Sequence, residues 1–239
     1  MRNTLLLLSA TALIALSSCN HGLGRKGNGH VTTEDRKVSP FTKISIEGIF
    51  PVEITQTGGA ESVKVETDDN LQDMISVKSN DGELSINSTD QSIYKSTKMK
   101  VYVNIKDIKE LNIKSVGALT TPDVLKLDSV EVNSESVGKL NMSLNAQYLR
   151  ANLESVGSTQ LSGNVFEARI NNKSVGSLSA FDLKANVMMI HNTSVGVTEV
   201  YADSAFYIRS SAIGALYYKG PGDVKELKND GIGRVQKKD

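Results

Sequence analysis

The chain has no tryptophan, and only seven tyrosines and five phenylalanines among its 239 residues. Grooves that cleave sugars usually present stacking rings, so this scarcity weighs against a sugar-cleaving enzyme. A single cysteine, Cys19, leaves no intramolecular disulfide to form, and the fold must rest on packing alone. Net charge is absent as well: 27 Lys and Arg balance 27 Asp and Glu, which removes the bulk electrostatic case for nucleic acid. The G-x-x-x-x-G-K-S/T phosphate cradle is missing. The histidines His21, His30 and His191 form no cluster with metal-ligand spacing, so neither metal nor cofactor is expected. Past the N-terminus no run is long and apolar enough to cross a membrane as a helix.

What is present starts with an export signal. Arg2 supplies the positive end, and the residues from Leu5-Leu6-Leu7-Leu8 to Ala12-Leu13-Ile14-Ala15 form a short apolar stretch. Leu16-Ser17-Ser18-Cys19 then resembles the lipobox of bacterial lipoproteins, in which cleavage falls before the cysteine and the cysteine is acylated. Residues 1–18 are therefore read as a signal peptide and Cys19 as a lipidation site, which makes a membrane the expected partner. Asn20, in place of an Asp, favours the outer membrane by the enterobacterial sorting rule. Residues 19–35, with Gly22, Gly24, Gly27 and Gly29 among polar residues, are expected to be a flexible tether.

The second half repeats one motif. Ser115-Val116-Gly117, Ser136-Val137-Gly138, Ser155-Val156-Gly157, Ser174-Val175-Gly176, Ser194-Val195-Gly196, Ala212-Ile213-Gly214 and Gly231-Ile232-Gly233 follow each other at glycine-to-glycine steps of 21, 19, 19, 20, 18 and 19 residues. Four positions before the motif serine stand Leu111, Val132, Ala151, Ile170, Ile190, Ile208 and Leu227, apolar in every copy. Apolar residues also dominate two positions further upstream and two after the glycine, a period of 2 on either side of a bend. A helix is excluded by the recurrent glycine and the missing 3.6 period. A step near 20 predicts an all-β solenoid, one coil per repeat, its coils about 4.8 Å apart. The variable step favours a right-handed β-helix over the stricter hexapeptide kind. Glycine at each bend (Gly117, Gly138, Gly157, Gly176, Gly196, Gly214, Gly233) points to a special backbone angle or a close coil-to-coil approach. Residues 111–239 are the regular coils. Residues 36–110 alternate less regularly, with a first coil around Gly48 and an Asn80-Asp81-Gly82 hairpin turn, and are expected to cap the solenoid.

Gly27-Asn28-Gly29, Thr33-Glu34-Asp35-Arg36-Lys37-Val38, Phe41-Thr42-Lys43-Ile44, Val52-Glu53-Ile54-Thr55-Gln56, Asp68-Asp69-Asn70-Leu71 and Asp81-Gly82-Glu83-Leu84-Ser85-Ile86 resemble the auto-transporter adhesin "head GIN" domain family of Bacteroidetes. The likeness runs from residue 27 to about residue 236. The chain departs from the family in carrying Ser-Val-Gly where the family usually shows Ser-Gly-Ala-Gly, a bulkier bend poorer by one glycine. The resemblance implies an exported β-helical protein with an adhesin-like role, and it carries no catalytic residues to this sequence.

Two outward ladders are the candidate surface features. Glu135 and Glu154 occupy adjacent coils one position before the motif serine, where paired carboxylates could hold Ca²⁺ as in β-helical polysaccharide lyases. Lys114 and Lys173 bracket them, which favours a ladder of ion pairs. Asn112, Asn133, Asn152 and Asn171, three before the serine, form either a stacked amide ladder or a face for glycan hydrogen bonds. Tyr201, Phe206, Tyr207, Tyr217 and Tyr218 form the one aromatic group, read as terminal core more than as platform. The expectation is a non-enzymatic envelope lipoprotein that binds a glycan, a matrix component or an envelope protein. The alternatives are a lyase-like enzyme using Glu135 and Glu154, and a periplasmic structural or signalling partner.

Overall fold

The computed structural model describes residues 24–88 and 95–239. The expected signal peptide (residues 1–18), the expected lipidation site Cys19 and Asn20 lie outside the described residues. The strands are β1 (Val31–Arg36), β2 (Lys43–Gly48), β3 (Val52–Thr55), β4 (Ser62–Asp68), β5 (Ile75–Asn80), β6 (Glu83–Ser88), β7 (Met99–Asn104), β8 (Glu110–Thr120) and β9 (Leu125–Lys126). The chain continues through β10 (Ser129–Ser134), β11 (Val137–Leu153), β12 (Val156–Asn172), β13 (Val175–Asn192), β14 (Val195–Ser210), β15 (Ile213–Lys219), β16 (Asp223–Asn229) and β17 (Arg234–Lys237).

These strands form a solenoid of about seven turns with an N-terminal strand cap. Each regular coil contributes one segment to each of two long parallel stacks, and a shorter third stack between them runs from β9 through β11 and β12 to β13, with Leu125, Leu144, Gly163 and Leu183 in register. The first stack runs β6–β2–β8–β10–β11–β12–β13–β14–β16, with β5 antiparallel on β6. The second runs β7–β3–β8–β11–β12–β13–β14–β15–β17, with β4 antiparallel on β7 and β1 antiparallel on β4. Residues 43–55 lie directly on β8, Gly48 opposite Ser115 and Val52 opposite Leu119, and so form the irregular first coil. The Asp81-Gly82 turn joins β5 to β6 with φ of 49° and 78°, the paired positive angles of a two-residue hairpin.

The tether is shorter than the sequence indicates. Its expected span of 19–35 includes most of β1, and Lys26 bridges to Lys95. Gly27-Asn28-Gly29 is fixed on Asp68, whose side chain accepts a hydrogen bond from the Gly29 amide at 2.7 Å. The strand pattern is hidden there because five of the six residues of β1 are polar and the sixth, Val31, is exposed, so no apolar alternation marks this edge strand.

Alternation of inward and outward residues fills the core. Leu111, Val132, Ala151, Ile170, Ile190 and Ile208 are each at most 3% exposed, and burial of each larger side chain contributes roughly 1.5–3 kcal/mol. The alternation breaks at 147–148 and 156–158, where consecutive residues face outward and the coil turns a corner. At the second corner Gly138, Gly157, Gly176, Gly196 and Gly214 adopt φ between 129° and 148°. A Cβ on any of them would lie 1.9–2.1 Å from the carbonyl oxygen of the glycine one coil earlier. Both readings of the recurrent glycine hold at these five. At Gly117 and Gly233 only the close approach applies, to Phe50 and Gly214.

The motif serines point inward and hydrogen-bond between coils: Ser155 Oγ donates to Ser134 O at 3.3 Å and Ser174 Oγ to Leu153 O at 3.2 Å. Beside them the inward column Ile113, Ser134, Leu153, Asn172, Asn192, Ser210 changes from apolar to polar along the stack. Asn172 Nδ2 donates to Asn192 Oδ1 (2.9 Å) and to Thr198 Oγ1 (3.1 Å), and Ser194 Oγ donates to Asn192 Oδ1 (2.9 Å). Asn192 Nδ2 itself is buried without a partner.

Candidate ligand-binding face

The outward side of the first stack is set by two columns. Five positions before the motif serine stand Glu110, Glu131, Arg150, Arg169, Met189, Tyr207 and Glu226, and three before it stand Asn112, Asn133, Asn152, Asn171, His191, Arg209 and Lys228. Strand parity places both columns on one side, and coil stacking holds successive members about 4.8 Å apart. The centre of this side is a shallow depression of about 520 Å³, bordered by Arg150, Asn152, Arg169, Asn171, His191, Tyr207 and Arg209.

At the N-terminal end of the face the polar groups satisfy one another. Asn133 Nδ2 donates to Asn112 Oδ1 (2.9 Å) and Asn152 Nδ2 to Asn133 Oδ1 (2.7 Å), an amide ladder of three rungs. Asn112 also donates to Glu110 at 3.0 Å, and this bond with the Lys43 ammonium lowers the Glu110 carboxyl below its ordinary value. Further along the stack Arg169 pairs with Glu167 (2.6 Å), and toward the C-terminal end Arg209 pairs with Glu226 (2.5 Å), which lowers the Glu226 carboxyl.

The middle differs. Asn171 lies outside the ladder, and its Oδ1 is buried with no partner. Among the described residues Arg150, His191 and Tyr207 make no side-chain hydrogen bond or ion pair. A guanidinium, an imidazole and a phenol, on coils held in fixed register, can bind a chain of hydroxyl or acidic groups. They contain no nucleophile held by a base. Arg150 carries no signal in the sequence, where Tyr207 counts only as one of the aromatic group, because the column five before the serine runs Glu, Glu, Arg, Arg, Met, Tyr, Glu and so does not recur. The motif alignment alone places them beside His191.

Glu135 and Glu154 sit elsewhere, at the corner, each held by a lysine: Lys114 Nζ is 3.4 Å from Glu135 and Lys173 Nζ is 2.7 Å from Glu154. Among the described residues no three His, Cys, Asp or Glu side chains gather as a metal would require. Both pairs are about half exposed, and such pairs contribute about 0.2–1 kcal/mol. Glu135→Gln is expected to move the urea midpoint by the equivalent of no more than ~1 kcal/mol, with no change on adding Ca²⁺. The aromatic group divides. Phe206 is buried and meets Tyr218 edge-on at 5.2 Å, whereas Tyr207 faces the depression and Tyr201 lies under Lys184.

Among curated proteins nothing matches the chain. Among solved structures, a "putative adhesin" from Bacteroides fragilis NCTC 9343 is 25% identical with a TM-score of 0.84, over 90% of this chain and 100% of that one. A "putative lipid binding protein" from Parabacteroides distasonis ATCC 8503 is 22% identical with a TM-score of 0.66, over 90% of this chain and 99% of that one. A "putative adhesin" from Parabacteroides merdae ATCC 43184 is 22% identical with a TM-score of 0.62, again over 90% and 99%. These last two share the fold. The family model "Putative auto-transporter adhesin, head GIN domain" matches residues 40–222, and the chain belongs to that family.

Proposed function

We propose that the chain is a non-enzymatic lipoprotein of the cell envelope, anchored through Cys19, that binds a glycan chain along the outward side of its first stack. The observation that carries this reading is the contrast on one face: flanking charges and amides are paired, while Arg150, Asn171, His191 and Tyr207 at its centre are not. An extended saccharide laid along the solenoid meets one coil after another, so weak contacts add up as avidity. The family and the similar Bacteroides fragilis structure described as a "putative adhesin" support a surface-binding role, and the lipobox-like segment supports the anchor.

The test has two parts. Protease treatment of intact cells, with Cys19→Ala as control, reports whether the solenoid faces outward; protection until the outer membrane is opened overturns the surface reading. A glycan array probed with the protein and with Arg150→Ala and Tyr207→Ala reports the face. Each variant is expected to weaken binding about tenfold, the loss of one or two good polar or stacking contacts. Equal binding by all three proteins overturns the assignment of the face.

A further inference from the structure

The residue between serine and glycine in each motif faces solvent. Val116, Val137, Val156, Val175, Val195 and Ile213 are 44–54% exposed, although they are β-branched and stand in an unbroken column. They form a straight apolar ridge along the second corner. A ridge of this kind loses free energy to water, and on a soluble surface such contiguous patches mark interaction sites.

Beside the ridge runs the ladder Lys114, Glu135, Glu154, Lys173, Thr193, Ser211, one member per valine. Its charge order tells what fits. Two copies laid ridge to ridge and antiparallel about a two-fold axis bring each ladder against the other. When the axis passes between Val156 and Val175, the midpoint of the six-rung ridge, Glu154 faces the partner's Lys173 and Lys173 faces the partner's Glu154. Glu135 then meets Thr193 of the partner subunit, and Lys114 meets Ser211 of the partner subunit. The alignment that overlaps the whole ridge thus creates two attractive contacts and no like-charge contact. The rungs also share one pitch, so each apolar side chain of one ridge meets one of the other, Val156 against the partner's Val175, and the seam excludes water. We infer that the valine ridge docks a second copy of this chain, antiparallel, centred between Val156 and Val175.

The antiparallel arrangement sends the two N-terminal caps to opposite ends of the pair. If Cys19 carries lipid, as the proposed function holds, a pair standing upright joins two facing membranes. That extension depends on the anchor; the pairing itself does not.

Sedimentation equilibrium of the protein, of Glu154→Lys and of Lys173→Glu separates these claims. Wild type is expected to dimerise. Each variant alone sets like charges against each other and is expected to weaken the dimer at least about tenfold. An equimolar mixture of the two variants restores opposite charges across the interface and is expected to recover the dimer. Val156→Asn, at a half-exposed site that leaves the core intact, is expected to abolish it while far-UV circular dichroism stays unchanged. A wild type that remains monomeric overturns the inference, as does a dimer indifferent to these changes or one that mixing does not restore. Binding of monomer to phosphatidylcholine vesicles, lost in Val156→Asn, assigns the ridge to lipid and overturns it too. Beads carrying the protein by its N-terminus are expected to clump. A dimer in solution with dispersed beads retains the pairing and overturns the bridging.

Discussion

Gly157→Ala is expected to destabilise the solenoid by about 3–5 kcal/mol, the sum of backbone strain at a positive φ and overlap with the neighbouring coil. The glycine has φ 138° and its added Cβ would lie 2.1 Å from the Gly138 carbonyl oxygen. Neither atom belongs to a flexible side chain, so the coils must separate, and separation weakens ladder hydrogen bonds on both stacks. Gly59→Ala is the control. Gly59 has an ordinary φ and no neighbour closer than 3.6 Å. There the smaller entropy of the unfolded chain stabilises by about 0.4–1 kcal/mol. Urea melts of both variants check the pair; equal effects at the two sites would show that coil contact is not what the motif glycine protects.

Asp68→Asn is expected to cost about 2–3 kcal/mol at neutral pH, through the buried donors it leaves poorly matched. Asp68 is fully buried at the end of β4. Its carboxylate accepts the Gly29 amide at 2.7 Å and the Thr97 amide at 2.8 Å, tying three separated segments together. Burial pushes its carboxyl up, but the bonds from Thr97 and Gly29 outweigh that and hold it below the ordinary value. A folded value below the unfolded one means stability that is present above the unfolded carboxylate range and lost as pH falls through the folded value. The N-terminal cap should therefore loosen in acid, and Asp68→Asn should flatten that part of the stability–pH curve. Hydrogen exchange of the β1 and β4 amides across acid pH checks it; unchanged acid sensitivity in the variant would assign the effect to other carboxylates.

Much of this fold can be read from the chain because a solenoid repeats its constraints. Leu111, Val132 and Ile170 declare an inward column by recurring, and the motif glycines mark a corner by refusing every other residue. Recurrence does not tell inside from outside for an apolar column. Val156 and Ile170 look alike in sequence, yet the extra residue at the corner turns one out and leaves the other in. The N-terminal cap gives least away. Its β6–β2–β8 order joins segments far apart in sequence, and Asp68 looks like any loop aspartate until Gly27-Asn28-Gly29 folds over it. The candidate face was half visible. The asparagines announce themselves as a column, whereas Arg150 and Tyr207 share a column with glutamates and a methionine.

The buried amides of Asn172 and Asn192 bear on how such a chain avoids being built out of order. Coils of nearly equal length and pattern offer each new segment more than one docking place. A segment that skipped a step would press Leu153 against Asn192 and separate that amide from Asn172, at a cost of about 1–3 kcal/mol. Hydrocarbon columns tolerate such a slip; this one does not. The few polar residues inside act as ordinal marks, numbering turns that would otherwise be interchangeable.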